Sequence, residues 1–231
     1  MSIDLSDILI RRASPEDVPD ILGVKESLRL EFGASLDADD GGFLLGSVPE
    51  VYEQLAHAGQ ILLLVQGARV LGFSTMLDDR LVRSSAVFAR REQIAWDAFS
   101  PQEVLSESIA YFDQLAIHPE GQRGHLGALL AMSTMDALTD EAEHVFTTTL
   151  LEPIENRAAL PLIQKVGGRQ VGTLTEVYPE VGQVTSAIFH LPRDSYRASI
   201  AGLHETGSAR ERETLAIYDA WRRGSPQVQK R

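Results

Sequence analysis

The run Tyr111-Phe112-Asp113-Gln114-Leu115-Ala116-Ile117-His118-Pro119-Glu120-Gly121-Gln122-Arg123-Gly124-His125-Leu126-Gly127-Ala128-Leu129-Leu130 constrains the fold more than any other stretch of the chain. It reads as an apolar-rich strand, a turn of glycines and polar residues, and the first turn of an apolar helix. A strand that feeds a helix in this way belongs in a sheet with helices packed on it. The first amides of that helix have no intrahelical partner and sit at the positive end of its dipole, so the turn is a receptor for a diphosphate. Glycine lets such a ligand approach the main chain. The same pattern also describes an ordinary packed turn, and residue chemistry alone leaves both readings open.

The flanking sequence supplies further strands and helices. Ile8 to Ala13 is a short apolar run that stops at Ser14-Pro15-Glu16-Asp17, which offers an N-cap hydroxyl, Pro at the first helical position and acid in the first turn. The helix is expected to run through Ile21, Leu22, Val24 and Leu28 toward Gly33, followed by a loop over 36–46. Asp37, Asp39 and Gly41 invite a calcium reading, but Val48 stands where the closing Glu belongs, so the loop is read as solvated. A helix from Pro49 through Tyr52, Leu55 and His57 precedes Ile61 to Val65, a turn at Gln66-Gly67-Ala68-Arg69, and Val70 to Met76, which is a hairpin pattern.

Between Asp78 and Leu105, Val87, Phe88, Ile94, Ala95, Ala98 and Phe99 fall near a helical period, which predicts an inserted helix ending before Pro101. Ser106 to Ile117, Val145 to Leu150, Arg169 to Leu174 and Val184 to Leu191 read as strands, and Leu126 to Leu138 and Asn156 to Val166 as helices. The order is mixed α/β around a central sheet. Beyond Pro192, Ser208 and Glu211 form a capping box, Leu215, Ile217, Tyr218 and Trp221 an apolar face, and Gly224 and Pro226 a stop. The expected layout is one domain over 1–192, with an insertion at 78–105, and a helical extension with a polar tail over 193–231.

The run from Tyr111 to Leu130 resembles the signature of the GNAT N-acyltransferases, in which a strand ending in an L-A-V-H-P-like sequence leads to Gln/Arg-x-x-Gly-x-Gly/Ala at a helix start. Gln122 stands first in that pattern and Gly127 last, while His125 replaces the usual first Gly. Asn156 to Gly168 is similar to the family's N-x-x-A-x-x-F-Y-E-K-L-G-F segment, and the resemblance spans about residues 8 to 192. It implies a mixed, mostly antiparallel (α+β) sheet flanked by helices, and acetyl-CoA or coenzyme A as acyl-donor substrate. It further implies that the backbone of Leu115, Ala116 and Ile117 pairs with the pantetheine arm as an added strand. The amides of Gln122, Arg123, Gly124, His125, Leu126 and Gly127 would hold the diphosphate. Asn156 would lie beside the coenzyme where two strands part, with simple capping after Pro153 as its other reading.

A protonated amine cannot attack a thioester, so such a site needs a base or a water relay, donors to the developing oxyanion, and an acid for the departing thiolate. Period two puts Tyr111, Asp113, Leu115 and Ile117 on one strand face. The resemblance favours Asp113 as the base, with Glu107, on the same parity, second; a structural ion pair is the other role open to Asp113. The family's acid Tyr is matched here by Ile163, so either Tyr111 or Tyr178 substitutes or the thiolate leaves unaided. The resulting expectation is an N-acyltransferase acting on an amine of a small molecule or protein. The alternative is a catalytically silent acyl-CoA-binding sensor or scaffold, motivated by His125 and Ile163.

Composition narrows the remaining classes. The absence of Cys removes disulfides, thiolate metal sites and cysteine nucleophiles, and fits a cytoplasmic setting. The six His residues show no paired metal spacing, so no metal site is read. Ser84-Ser85 and Ser106 to Ser108 lack the strand-to-helix elbow of a serine hydrolase. A net charge of −12 argues against nucleic acid. The first ten residues carry Asp4 and Asp7 in place of a basic leader, and no apolar run reaches the ~20 residues of a membrane span. Arg80, Arg83, Arg90 and Arg91 cluster in the insertion, either as a solvated helix face or as a cover over the amine site that selects an acceptor anion or meets a second subunit as a homodimer.

Overall fold

The computed structural model describes residues 7–28, 48–121, 125–178 and 182–224. The expected loop over 36–46, the turn residues Gln122, Arg123 and Gly124, and the polar tail from 225 lie outside the described residues. Eight strands form one sheet: β1 (Ile8–Arg12), β2 (Ile61–Gln66), β3 (Arg69–Leu77), β4 (Ala95–Trp96), β5 (Ile109–Ile117), β6 (His144–Glu152), β7 (Arg169–Tyr178) and β8 (Gly182–Pro192). Their order is β1-β2-β3-β5-β6-β8-β7-β4, antiparallel throughout except at β5–β6. The β2–β3 hairpin turns on Gly67 at φ 59, the positive value that the first position of a II′ turn requires.

The helices cover both faces. On one face, α1 (Val18–Ser27) and α2 (Pro49–His57) bury Val18, Ile21, Val24, Tyr52 and Leu55 against Ile61, Leu63 and Phe73 of the first strands. The start of α1 follows the capping signal: the Ser14 amide donates to Asp17 at 2.8 Å, and Arg11 grips the same carboxylate at 2.6 Å, holding its pKa at about 2.

The insertion covers the same face further along, but as several pieces where the sequence predicted one helix. It comprises α3 (Asp79–Ser84), α4 (Ala86–Ala89), a 3-10 turn at Arg90–Gln93, strand β4, and α5 (Pro101–Val104). The breaks have local causes. Asp78 caps α3 by accepting the Leu81 amide at 2.8 Å, and Ser85 caps α4 by accepting the Phe88 amide at 3.3 Å, so a new helix start falls inside the expected one. Ala95 and Trp96 extend to pair with Thr173 and Gly172, and a Cβ on Gly172 would lie 2.7 Å from the Ala95 carbonyl oxygen. Only glycine admits that approach.

The opposite face carries α6 (Leu126–Glu141), α7 (Leu160–Lys165), α8 (Arg193–Thr206) and α9 (Ala209–Gly224). Helix α6 is apolar nearly all round because it is sandwiched, with the sheet beneath it and α9 outside. Thr134 on α6 meets Ser74 of β3 at 2.6 Å, which satisfies two buried hydroxyls. The sequence predicted α9 but not α8. Both pack into the main core through Tyr196, Leu215 and Tyr218. Asp136 of α6 fastens the pair, accepting Tyr218 Oη at 2.6 Å and Tyr196 Oη at 3.3 Å and pairing with Arg222 at 2.8 Å.

Candidate active site

The parallel pair β5–β6 is hydrogen-bonded only from Ile109–Phe112 to His144–Thr147. Past that point β5 pairs with β3 alone and β6 with β8 alone, so the two strands part and each exposes an unpaired edge. A cavity of about 1230 Å³ occupies the wedge and is lined from both faces of the sheet. That exceeds the usual range for one small ligand, ~300–1,000 Å³.

The register of β5 decides which side chains enter from which face. Thr75 of β3 pairs with Gln114 and Met76 with Phe112, so Asp113 is the extra residue of a β-bulge. The bulge corrects the expected face. Tyr111 joins the apolar cluster beneath the insertion, whereas Leu115 and Ile117 pack toward α6. Asp113 leans to the insertion side, where its Oδ2 accepts from Thr75 Oγ1 at 2.9 Å. It lines the cavity, and burial raises its pKa, opposed by the Thr75 bond and by the nearby Arg90 charge. A carboxylate so placed is a stronger proton acceptor than one in water.

On the insertion side Arg90 is the central cation. It pairs with Glu176 of β7, acts electrostatically on Tyr178, and donates to the Ala86 carbonyl at 3.1 Å. Arg91 also lines the cavity, with its guanidinium 4.3 Å from the Phe88 ring centroid and 3.2 Å from Glu92. Tyr111 Oη meets Thr148 Oγ1 at 2.8 Å across the opening between β5 and β6. Burial first, then the neighbouring carboxylate, raises the pKa of both Tyr111 and Tyr178, so each keeps its proton at neutral pH. Phe88, Ile94, Trp96, Leu105, Leu174 and Ile188 complete the lining on this side.

On the α6 side the cavity is lined by Leu115, Ile117, Gly127 and Asn156, while Ala116 lines it from the α1 and α2 side. Of the expected diphosphate amides, those of Gln122, Arg123 and Gly124 fall outside the described residues. His125 is the N-cap of α6 with φ −105, so it needs no glycine-like backbone, and its Nδ1 meets Thr214 Oγ1 of α9 at 2.8 Å. Leu126 is buried beneath the helix start. Asn156 lines the cavity, and its Oδ1 accepts the Ala159 amide at 3.3 Å, as its capping reading expects. Ile163 lines the same side, leaving that position without a hydroxyl.

Glu107 does not join the cavity. It precedes β5, is 58% exposed at its side chain, and pairs with His144 at 3.3 Å. His144 in turn meets His190 at 3.1 Å, a buried ring stacked on Phe146 whose pKa burial depresses to about 4. Sequence reading did not foresee Thr75, Thr148 or Glu176 at the site, since each arrives from a different strand. Their only sequence signal is a polar residue inside an otherwise strand-like run.

No protein-family model matches the chain, and no curated protein matches it. Solved structures do. An N-acetyltransferase from Staphylococcus aureus Mu50 superposes at TM-score 0.51 and 16% identity, covering 80% of this chain and 98% of that one. Naa20 from Chaetomium thermophilum, in complex with a bisubstrate analogue, gives TM-score 0.55 and 15% identity over 82% of this chain and 89% of its own. The yncA protein of Salmonella typhimurium, solved with acetyl-CoA, gives 0.52 and 15% over 88% and 99%. The sheet order, the parting strands and these superpositions together establish that the chain has the GNAT N-acetyltransferase fold.

Proposed function

We propose that the chain is an N-acyltransferase moving an acetyl or other short acyl group from acyl-CoA to an amine. The observation that carries the reading is Asp113, a bulge carboxylate of raised pKa facing the cavity where β5 leaves β6. The donor side fits an acyl-CoA. The unpaired β5 edge offers main-chain groups to the amides of a pantetheine arm, and Thr149 Oγ1 is buried without a hydrogen-bond partner in the cavity wall. Acetyl-CoA bound in the yncA structure supports the same donor.

In the reaction, Asp113 takes the proton of the acceptor ammonium, the amine nitrogen bonds to the thioester carbon, and the carbon–sulfur bond breaks. Amides of the free β5 edge are the donors available to the developing oxyanion. Tyr111, held by Thr148 at the opening, is the candidate donor to the leaving sulfur, and the proton it gives up is made good by the second proton that the nitrogen loses on becoming an amide. The acceptor enters beneath the insertion. Its apolar lining, together with the buried carboxylate of Asp113, favours a primary amine carried on an apolar group. Arg90 is already paired with Glu176, which speaks against the acceptor anion expected from the sequence.

The test has two arms. Saturating acetyl-CoA at about 100 times its Kd stabilises the native state by about 2.7 kcal/mol, a rise of roughly 5–11 °C in melting temperature for a chain of this size. No shift would remove the donor. Thiol release is then followed with 2-phenylethylamine and tryptamine against glycine and spermidine. Higher kcat/KM for glycine or spermidine would remove the apolar acceptor while leaving the donor intact.

A further inference from the structure

Helix α9 lies outside the part of the chain that resembles the acyltransferase signature, yet its first turn reaches the cavity. Two contacts fix that turn. Glu211 pairs with Lys165 at the end of α7, and Thr214 meets His125, the N-cap of α6, at 2.8 Å. Arg210 lies one helical turn before Thr214, on the same face of α9, and lines the cavity together with Asn156, Ala158 and Ala159. No ion pair or side-chain hydrogen bond engages its guanidinium among the described residues. Among the described residues, two neighbouring cations are committed, Lys165 to Glu211 and Arg157 to Glu155 at 3.4 Å.

The chain carries a net charge of −12, so a polyphosphate ligand approaches against the general field and gains most from a local, unpaired cation. Guanidinium groups bind phosphate through paired, charge-assisted hydrogen bonds. We propose that Arg210 binds a phosphate of the nucleotide end of acyl-CoA, so that the C-terminal helix pair forms one wall of the donor site. The proposal rests on acyl-CoA being the donor. It assigns α8 and α9 a purpose beyond packing: Asp136 holds the pair on α6, and the pair holds Arg210 at the coenzyme rim.

The experiment measures Kd by calorimetry for acetyl-CoA, 3′-dephospho-coenzyme A and acetyl-pantetheine, with the wild type and Arg210→Ala. The substitution is expected to weaken acetyl-CoA about tenfold at low ionic strength, with a smaller factor at high salt, and to leave acetyl-pantetheine unchanged. An equal loss with 3′-dephospho-coenzyme A places the contact on the diphosphate; a loss confined to acetyl-CoA places it on the 3′-phosphate. Arg210→Lys should recover part of the affinity, because charge is kept and the planar fork is lost. Unchanged acetyl-CoA affinity in Arg210→Ala overturns the proposal, as does an equal loss for acetyl-pantetheine, which would mean a displaced helix. Wild-type protein that binds acetyl-pantetheine and acetyl-CoA equally well would overturn it too, whereas a wild type that binds neither removes the acyl-CoA reading itself.

Discussion

Replacing Asp113 by Asn tests the proposed chemistry with little change of shape. The amide oxygen still accepts the 2.9 Å bond from Thr75, so packing at the bulge is kept while the basic group is lost. Loss of a general base lowers turnover by roughly 10²–10⁴-fold, about 2.7–5.4 kcal/mol of transition-state stabilisation. Stability should move the other way. Burial raises the folded-state pKa, so the folded protein binds the proton more tightly than the unfolded chain does. That contribution is complete below the unfolded value of about 3.9 and is lost as pH rises through the folded value. Above that folded value the wild type carries a desolvated charge that Asn removes, and there the variant should melt at a higher temperature. In the wild type, kcat/KM should fall as pH drops through the same raised pKa. Thiol release reports turnover cleanly, because the chain has no cysteine to react with the reagent. Normal turnover in Asp113→Asn would refute the base assignment. A joint fall in activity and melting temperature would return Asp113 to a structural role.

Other substitutions separate the parts of the site. Arg90→Gln leaves Glu176 unpaired beside Asp113 and should raise the acceptor KM without changing acetyl-CoA affinity; equal effects on both substrates would take the insertion out of acceptor binding. Tyr111→Phe removes the hydroxyl held by Thr148, and a single lost hydrogen bond predicts a fall in kcat of about five- to tenfold, with no change in kcat marking Tyr111 as a wall only. Asp136→Ala leaves the Tyr196 and Tyr218 hydroxyls without their acceptor and should cost about 1–3 kcal/mol, a drop of several degrees in melting temperature. An unchanged melting temperature would mean that α8 and α9 are held by their apolar contacts alone.

Much of the architecture is written in local signals. Ser14, Pro15 and Asp17 mark the β1 to α1 boundary, Gly67 the hairpin, and the Gly-rich turn the start of α6, because φ preferences and helix-end hydrogen bonds involve residues a few positions apart. Helix α8 was missed, although Tyr196, Ile200 and Leu203 recur at helical spacing after Pro192, because the segment is otherwise polar. What the sequence alone determined is thus most of the order of elements, and the strand and helix start that border the cavity. The face on which each catalytic candidate lies was decided only by tertiary pairing. The bulge at Asp113 comes from the register of β5 on β3, some 38 residues away, and one extra residue turns Tyr111 and Leu115 to opposite faces. Arg90 meets Glu176 across 86 residues and His125 meets Thr214 across 89. Periodicity carries no information on such contacts, because they arise from two surfaces brought together by burial of apolar groups elsewhere.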